Sequence, residues 1–266
     1  MLNKIKSLLA SRPERPLPAV PSGERIYAVG DIHGRLDLVT AIAAAIETDD
    51  ADRGPADTTI ILLGDLVDRG PDSAGVLKEV RDWASRRKVR IIMGNHEEML
   101  LDSLTCPDTF RLFAKYGGRE TVLSYGIDAI NYASVEPERL HQMFVSAVPL
   151  DDVAMLRGFE DMIAKGDYLF VHAGILPGVA IDEQRTSNLR WIREPFLGYQ
   201  GDHGSVIVHG HTIVNTAELR SNRIGIDTGA FRSGCLTALG LEGTERWVIE
   251  TCDDGGTITA TTRSAE

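Results

Sequence analysis

The sequence predicts an α/β fold on three observations. Apolar, strand-like runs alternate with stretches of helical spacing from Arg25 onward. Short polar motifs built from Gly, Asp, Asn and His close those runs. The chain is also long enough, at 266 residues with 43% hydrophobic, to bury a sizeable core.

Taken in order, Arg25–Gly30 reads as an apolar strand and Leu36–Glu47, rich in Ala and Leu, as a helix. Thr58–Leu63 is a buried strand by its Ile and Leu run, Ser73–Arg87 a helix and Val89–Met93 a third strand. Strands alternating with helices imply a parallel sheet covered on both faces. Between about residues 97 and 165 no convincing strand stands out, and helical stretches are broken at Pro107, Gly117-Gly118, Gly126 and Pro149. This region is expected to be a mainly helical, cap-like insertion packed over the preceding loops. Strand character resumes at Tyr168–Val171 and Ser205–Val208. Arg223–Asp227, Leu236–Leu241, Arg246–Glu250 and Thr257–Thr261 are short strands separated by turns, expected to form an antiparallel second sheet. Residues 1–23, with Pro13, Pro16, Pro18 and Pro21, are expected to be a tail and extended linker into a single domain over 24–266.

Charge and cysteine usage narrow the function. The net charge is −11. A duplex nucleic-acid binder needs a basic face to neutralise phosphates, so that class is disfavoured. A small anionic substrate is still admissible, because metal ions and a few Arg make one pocket positive on an acidic protein. No apolar run approaches the ~18 residues of a membrane span. The three cysteines, Cys106, Cys235 and Cys252, are far apart and form no C-x-x-C. They are expected to be free thiols in a reducing, cytoplasmic compartment.

Five motifs carry the chemistry: Gly30-Asp31-Ile32-His33-Gly34, Gly64-Asp65-Leu66-Val67-Asp68-Arg69-Gly70, Gly94-Asn95-His96-Glu97, Val171-His172-Ala173-Gly174 and Gly210-His211-Thr212. Asp31 and His33 are two apart, so in extended geometry they point to one side. Asp65 ends the next strand, and adjacent parallel strands put their C-terminal loops side by side. A carboxylate there has two oxygens and is able to serve two cations. Asn95 adds a neutral oxygen, and His96 an imidazole suited to proton transfer. Each motif alone has an ordinary reading: a helix cap for Asp31 or Asn95, a polar turn for Asp68-Arg69-Gly70, a hydrogen-bonded loop residue for His172 or His211. Five strand-end motifs made of ligand-competent side chains are not explained that way. Together they describe a two-metal site for phosphoester hydrolysis.

At this point the chain resembles the calcineurin-like metallophosphoesterases, in particular their phosphoprotein-phosphatase branch, over roughly residues 24 to 240. Tyr168–Pro177 and Leu189–Phe196 resemble small bacterial members. The resemblance implies a four-layer α/β/β/α sandwich. It implies that Asp31, His33 and Asp65 hold one metal and that Asp65, Asn95, His172 and His211 hold a second, with Asp65 bridging. A hydroxide between the metals would attack phosphorus, His96 would protonate the leaving oxygen, Asp68 would orient His96, and Arg69 and Arg193 would bind the phosphate. The first expectation for activity is a phosphomonoesterase similar to serine/threonine protein phosphatases, acting on a phosphorylated protein or small phosphoester. The alternative is a hydrolase of dinucleoside polyphosphates, since some bacterial relatives cleave those. A non-catalytic metal-binding scaffold is a third reading, disfavoured by the His96–Asp68 pair. Mixed imidazole and carboxylate ligands favour manganese, iron or zinc, and the resemblance puts manganese first. His209 precedes His211 by two residues, and His211 is assigned as the ligand because it lies beyond the strand. Where relatives often carry Asn before Gly117-Gly118, this chain has Tyr116. For Asp227 a turn role suffices.

Overall fold

The computed structural model describes residues 17–265. Three strands, β1 (Glu24–Val29), β2 (Asp57–Leu62) and β3 (Val89–Ile91), run parallel. They are joined by α1 (Leu36–Asp52) and α2 (Ser73–Ala84), as the alternating pattern predicts. Period-two alternation in β1 sorts its side chains into two cores. Tyr27 and Val29 pack with Leu38, Val39, Ile42 and Ile46 of α1, while Ile26 and Ala28 face the other way.

The C-terminal strands depart from expectation. β9 (Cys235–Glu242), β10 (Glu245–Asp254) and β11 (Thr257–Ser264) are antiparallel to one another, but they do not form a separate sheet. β9 pairs antiparallel with β1, Tyr27 opposite Gly240, giving a first sheet in the order β11-β10-β9-β1-β2-β3. The physical reason lies in β9, which is buried on both faces. Leu236 and Ala238 enter the first core, and Leu239 and Leu241 the second. Such a strand belongs inside a sheet rather than at an edge, and a hydrophobic pattern does not choose its partner.

The second sheet contains β4 (Met162–Lys165), β5 (Tyr168–Val171), β6 (Val206–His209), β7 (Glu218–Leu219) and β8 (Arg223–Gly225), in the order β4-β5-β6-β8-β7. β8 therefore lies parallel to β6, away from the C-terminal run. β4 corrects the helical reading of residues up to 165. It is a short edge strand on β5 with only Ile163 buried, so it leaves almost no apolar signal. The two sheets face each other across Ile26, Ile61, Phe170, Val208, Ile224 and Leu239. Outside the second sheet, Leu169, Val171 and Ile207 pack against Leu189 and the segment after it, Ile192 and Phe196. The result is the expected α/β/β/α layering.

Helices do dominate the middle of the chain: α3 (Asn95–Ser103), α4 (Pro107–Phe113), α5 (Arg119–Ser124), α6 (Ala129–Ser134), α7 (Pro137–Ala147) and α8 (Leu150–Arg157). Phe110 and Phe113 of α4 and Phe144 of α7 cluster and join the first core. The chain kinks between α4 and α5 at Tyr116 and Gly117, where Gly117 takes φ 116°.

Two other expectations change. Met1–Pro16 lie outside the described residues, but the linker reading does not hold for Pro18 to Pro21. Val20 is buried, its N–H donates to Gly243 O at 3.0 Å, and Ala19 O accepts from Asp167 N at 2.9 Å. That segment ties the β9–β10 turn to the β4–β5 turn. Cys235 and Cys252 are not free thiols: they stand opposite each other on β9 and β10, with Cα atoms 4.1 Å apart, joined by a disulfide. Sequence spacing hides this pairing because it depends on strand register. Cys106 is free and exposed. Among the described residues no helix is long and apolar enough to cross a membrane.

Arg25 is fully buried and holds three elements together. Its guanidinium meets Glu242 of β9 at 2.8 Å, Asp50 of α1 at 2.7 Å, and the carbonyl of Gly54 at 3.0 Å. Arg25→Ala is expected to lower stability in urea unfolding by about 3 kcal/mol, the lower end for breaking a buried ion pair, because Glu242 is partly exposed. Thiol titration of unreduced, denatured protein should find one reactive thiol per chain, rising to three after reduction.

Candidate metal centre and active site

The loops following β1, β2, β3, β5 and β6 converge at one end of the two sheets. They bring together Asp31, His33, Asp65, Asp68, Asn95, His96, His172 and His211, all buried, with Arg69 among them. The backbone is strained to do so. Among the described residues five non-glycine positions have positive φ: His33 at 47°, Asp65 at 49°, Asp68 at 73°, Arg69 at 69° and His211 at 61°. Every one belongs to this cluster. Such conformations cost of order 1–3 kcal/mol each and persist only where surrounding contacts enforce them.

One enforcing contact is Glu97, in the first turn of α3. Its buried carboxylate accepts N–H bonds from Leu66 at 2.6 Å, Asp65 at 2.8 Å, Gly94 at 3.0 Å and Val67 at 3.3 Å. Burial and then the Asp65 charge push its carboxyl up to about 7, against these N–H donors. A second clamp fixes Asp68. Its N–H points at Ser73 Oγ and Thr121 Oγ1, and its Oδ1 accepts from the Thr121 hydroxyl at 2.6 Å.

Asp65 sits between two groups of donors. Its Oδ2 lies 3.5 Å from His33 Nε2, and its Oδ1 lies 3.4 Å from His172 Nε2. Asn95 Oδ1 lies 2.9 Å from His172 Nε2 and 2.8 Å from His211 Nδ1. Tautomers follow from the opposite ring nitrogens. His33 Nδ1–H donates to Val67 O and His172 Nδ1–H to Leu63 O, both at 2.8 Å. In the neutral ring each Nε2 is then an acceptor. The His172 Nε2 lone pair, Asn95 Oδ1 and Asp65 Oδ1 thus converge as acceptors. Only a cation, or an added proton, makes that arrangement favourable.

Ionisation points to a cation. Burial lowers His33 to about 3, and burial followed by His172 lowers His211 to about 3, so both rings stay neutral and able to bind metal. Burial would raise the Asp65 carboxyl, but the surrounding rings of His172, His96 and His33 when protonated, together with the His96 N–H, act to hold it below the carboxylate range. Asp31 is driven well up by burial and by Asp227 and Asp65, and burial raises Asp227 to about 6. This crowding of buried carboxyls calls for positive charge. The donor set fits a dinuclear site: Asp65, His172 and His211 offer ligand atoms within 4.8 Å of one another, as do His33, Asp65 and His96. In the latter group His96 Nδ1–H donates to Asp68 Oδ2 at 2.6 Å. Burial lowers the His96 pKa, but the Asp65 and Asp68 carboxylates more than offset this and raise it.

Arg69 reaches His33 Nε2 and His96 Nε2, each at 2.8 Å, and its guanidinium lies over the Phe231 ring. Arg193 stands at the rim, exposed, with Nη2 3.5 Å from His211 O. His209 is buried away from the cluster, edge-on to Phe196, with Nε2 facing Arg223. Gly210 separates the two histidines, and a Cβ there would run into Asp31 Oδ1. His211 N–H donates to Asp31 Oδ2 at 3.0 Å, which links the two sides of the site.

Several contributors had no role in the sequence reading. Glu97 was visible inside its motif, but a fully conventional helix start explains it equally well. Thr121 follows Gly117-Gly118, a segment singled out in the sequence only for Tyr116 standing where relatives often carry Asn. It supports the site, with Gly117 O accepting from Arg69 N at 2.9 Å. Asp227 accepts from Gly229 N, as a turn residue would, and also faces Asp31.

The model of the calcineurin-like phosphoesterases matches residues 24–248. The chain belongs to the calcineurin-like phosphoesterase family. Among relatives, a bis(5'-nucleosyl)-tetraphosphatase PrpE [asymmetrical] of Anoxybacillus flavithermus is 27% identical over 233 residues, covering 79% of this chain and 88% of the relative. A symmetrical bis(5'-nucleosyl)-tetraphosphatase of Acidovorax sp. is 31% identical over 182 residues, covering 68% of this chain and 51% of the relative. A solved structure described as a putative diadenosine tetraphosphatase superposes with a TM-score of 0.56 at 19% identity, over 92% of this chain and 98% of that one. A cold-active protein tyrosine phosphatase gives 0.57 at 18% identity, over 94% and 85%. At those identities the structures speak for the fold alone. The family and the buried clusters make this a metal-dependent phosphoester hydrolase.

Glu97→Gln replaces an acceptor with an amide donor beneath the Asp65 loop. It should lower stability by about 1–3 kcal/mol through donors left unpaired, and metal content measured on the folded variant should fall.

Proposed function

We propose that the protein hydrolyses dinucleoside polyphosphates, with dinucleoside tetraphosphates as the preferred substrates. The observation that carries this reading is the match to bis(5'-nucleosyl)-tetraphosphatases over most of both chains, supported by two buried donor clusters suited to metal. It displaces the phosphoprotein reading that the motifs suggested first. Those motifs describe attack on phosphorus and say nothing about what the phosphorus is attached to.

In this reading Asp31, His33 and Asp65 hold one metal, and Asp65, Asn95, His172 and His211 the other, with manganese the first choice for both. Such a pair supplies an activated water and neutralises phosphoryl charge. The protein's own groups do the rest. His96, held by Asp68 through Nδ1, presents Nε2 to the leaving oxygen and gives it a proton. Arg69 and Arg193 bind phosphate oxygens, where a planar guanidinium offers paired donors. A metal-binding scaffold without activity has no use for the buried His96–Asp68 pair.

With metal-loaded enzyme, kcat/KM for diadenosine tetraphosphate should exceed that for phosphopeptides by at least an order of magnitude. A preference for phosphopeptides would return the protein to the phosphatase reading. Product analysis then separates symmetrical from asymmetrical cleavage.

The acid role has a pH signature. His96 acts when protonated, and the Asp68 carboxylate at its Nδ1 favours that form. Activity should therefore fall as pH rises through the pKa of His96 in the metal-loaded enzyme. Asp68→Asn removes a carboxylate that raises it, so the alkaline limb of the kcat profile should move to lower pH. An unmoved limb would take His96 out of the acid role.

A further inference from the structure

Trp191 is the last residue of the short helix Thr186–Trp191, between the buried Leu189 and Ile192. It is 41% exposed, whereas Trp83 and Trp247 are 1% and 3% exposed. An exposed indole in a soluble protein is usually mobile, but this one is fixed. Its Nε1–H donates to Glu98 Oε2 at 2.5 Å. Glu98 in turn accepts from Arg190 at 2.7 Å, and Arg190 is anchored on Asp161 by two further bonds, at 2.6 and 2.9 Å. Glu98 belongs to the same helical turn as Asn95 and His96, so the ring is oriented from the catalytic helix itself. Its centroid lies 6.5 Å from that of His211, with the planes 74° apart. Arg193, two residues on, stands at the same rim and reaches His211 O.

A rigid, exposed aromatic ring beside a metal-binding histidine and a phosphate-binding Arg has a specific use. It gives a planar heteroaromatic group a surface to stack on, and because the ring is already held, little entropy is lost when the ligand arrives. A nucleoside 5'-phosphate carries such a group one sugar away from its phosphorus. We propose that Trp191 is the stacking wall for a nucleobase of the substrate, positioned by Glu98 and Arg190, on the side of the site formed by His172 and His211. This rests on reading the site as a nucleotide phosphohydrolase and assigns where the base binds.

The test compares AMP with ribose 5-phosphate, which differ only in the base, on metal-loaded enzyme. AMP is expected to quench the emission of Trp191, and ribose 5-phosphate is not; Trp191→Phe should lose the quenching and keep most of the AMP affinity, since a phenyl ring also stacks. Trp191→Ala should weaken AMP as an inhibitor of p-nitrophenyl phosphate hydrolysis by about 5–150-fold, the range for removing one base–aromatic stack, and change inhibition by ribose 5-phosphate far less. AMP that binds no better than ribose 5-phosphate, or an equal loss of both in Trp191→Ala, overturns the wall. If AMP binds through Trp191 while diadenosine tetraphosphate is not cleaved, the wall stands and the proposed substrate falls. If the tetraphosphate is cleaved and Trp191→Ala treats both probes alike, the substrate stands and the wall falls.

Discussion

The carboxylate of Glu97 is the contact on which the site depends. It lies beneath the Asp65 loop and collects four backbone N–H groups, three of them consecutive from Asp65 to Val67. Without it those donors would be buried and unpaired, and the left-handed turn at Asp65 would be held only from its carbonyl and side chain. Asp65 is the residue shared between the two donor clusters, so its placement sets both. The strain at His33, Asp68, Arg69 and His211 is arranged around the same point. A backbone this constrained leaves the donors little room to relax, which favours tight positioning of metal over adaptability.

Electrostatics press in the same direction. The chain carries a net charge of −11, and its site gathers Asp31, Asp65, Asp68, Glu97 and Asp227 in one buried region. A polyphosphate approaching such a surface meets repulsion unless charge is reversed locally. In the proposed reading Arg69 and Arg193 would contribute part of that reversal and bound cations the rest. An acidic protein with an anionic substrate is consistent only if its positive charge is concentrated where the chemistry occurs.

The site was more legible in the sequence than the fold around it. Asp31, His33, Asp65, Asn95, His96, His172 and His211 announce themselves because Gly and polar residues interrupt apolar strands at each position, and convergence follows from parallel strands sharing one end. The structure places His211 in the cluster and His209 outside it, the chain leaving strand geometry at His211, which takes φ 61°. What failed was anything set by pairing across long separations. The strand read over Leu236–Leu241 belongs by pattern to an antiparallel second sheet until β1 is placed beside it, and the Cys235–Cys252 bond is visible only once β9 and β10 are in register. Thr121 supports Asp68 from 53 residues away, with no local pattern to mark it. The comparisons favour the alternative substrate over the first choice for another reason: ligand motifs encode the reaction centre, whereas substrate choice is written in the walls.

The first turn of α3 shows how tightly that centre is wired. Asn95 points to His172 and His211, His96 to Asp68 and Arg69, Glu97 under the Asp65 loop, and Glu98 to Trp191 and Arg190. Four successive residues at 3.6 per turn are spread over about 300° of the helix circumference. The helix therefore acts as a keyed axle, each tooth engaged with a different part of the molecule. Inserting or deleting a single residue ahead of it would rotate every tooth by about 100° at once. This turn can change only as a unit.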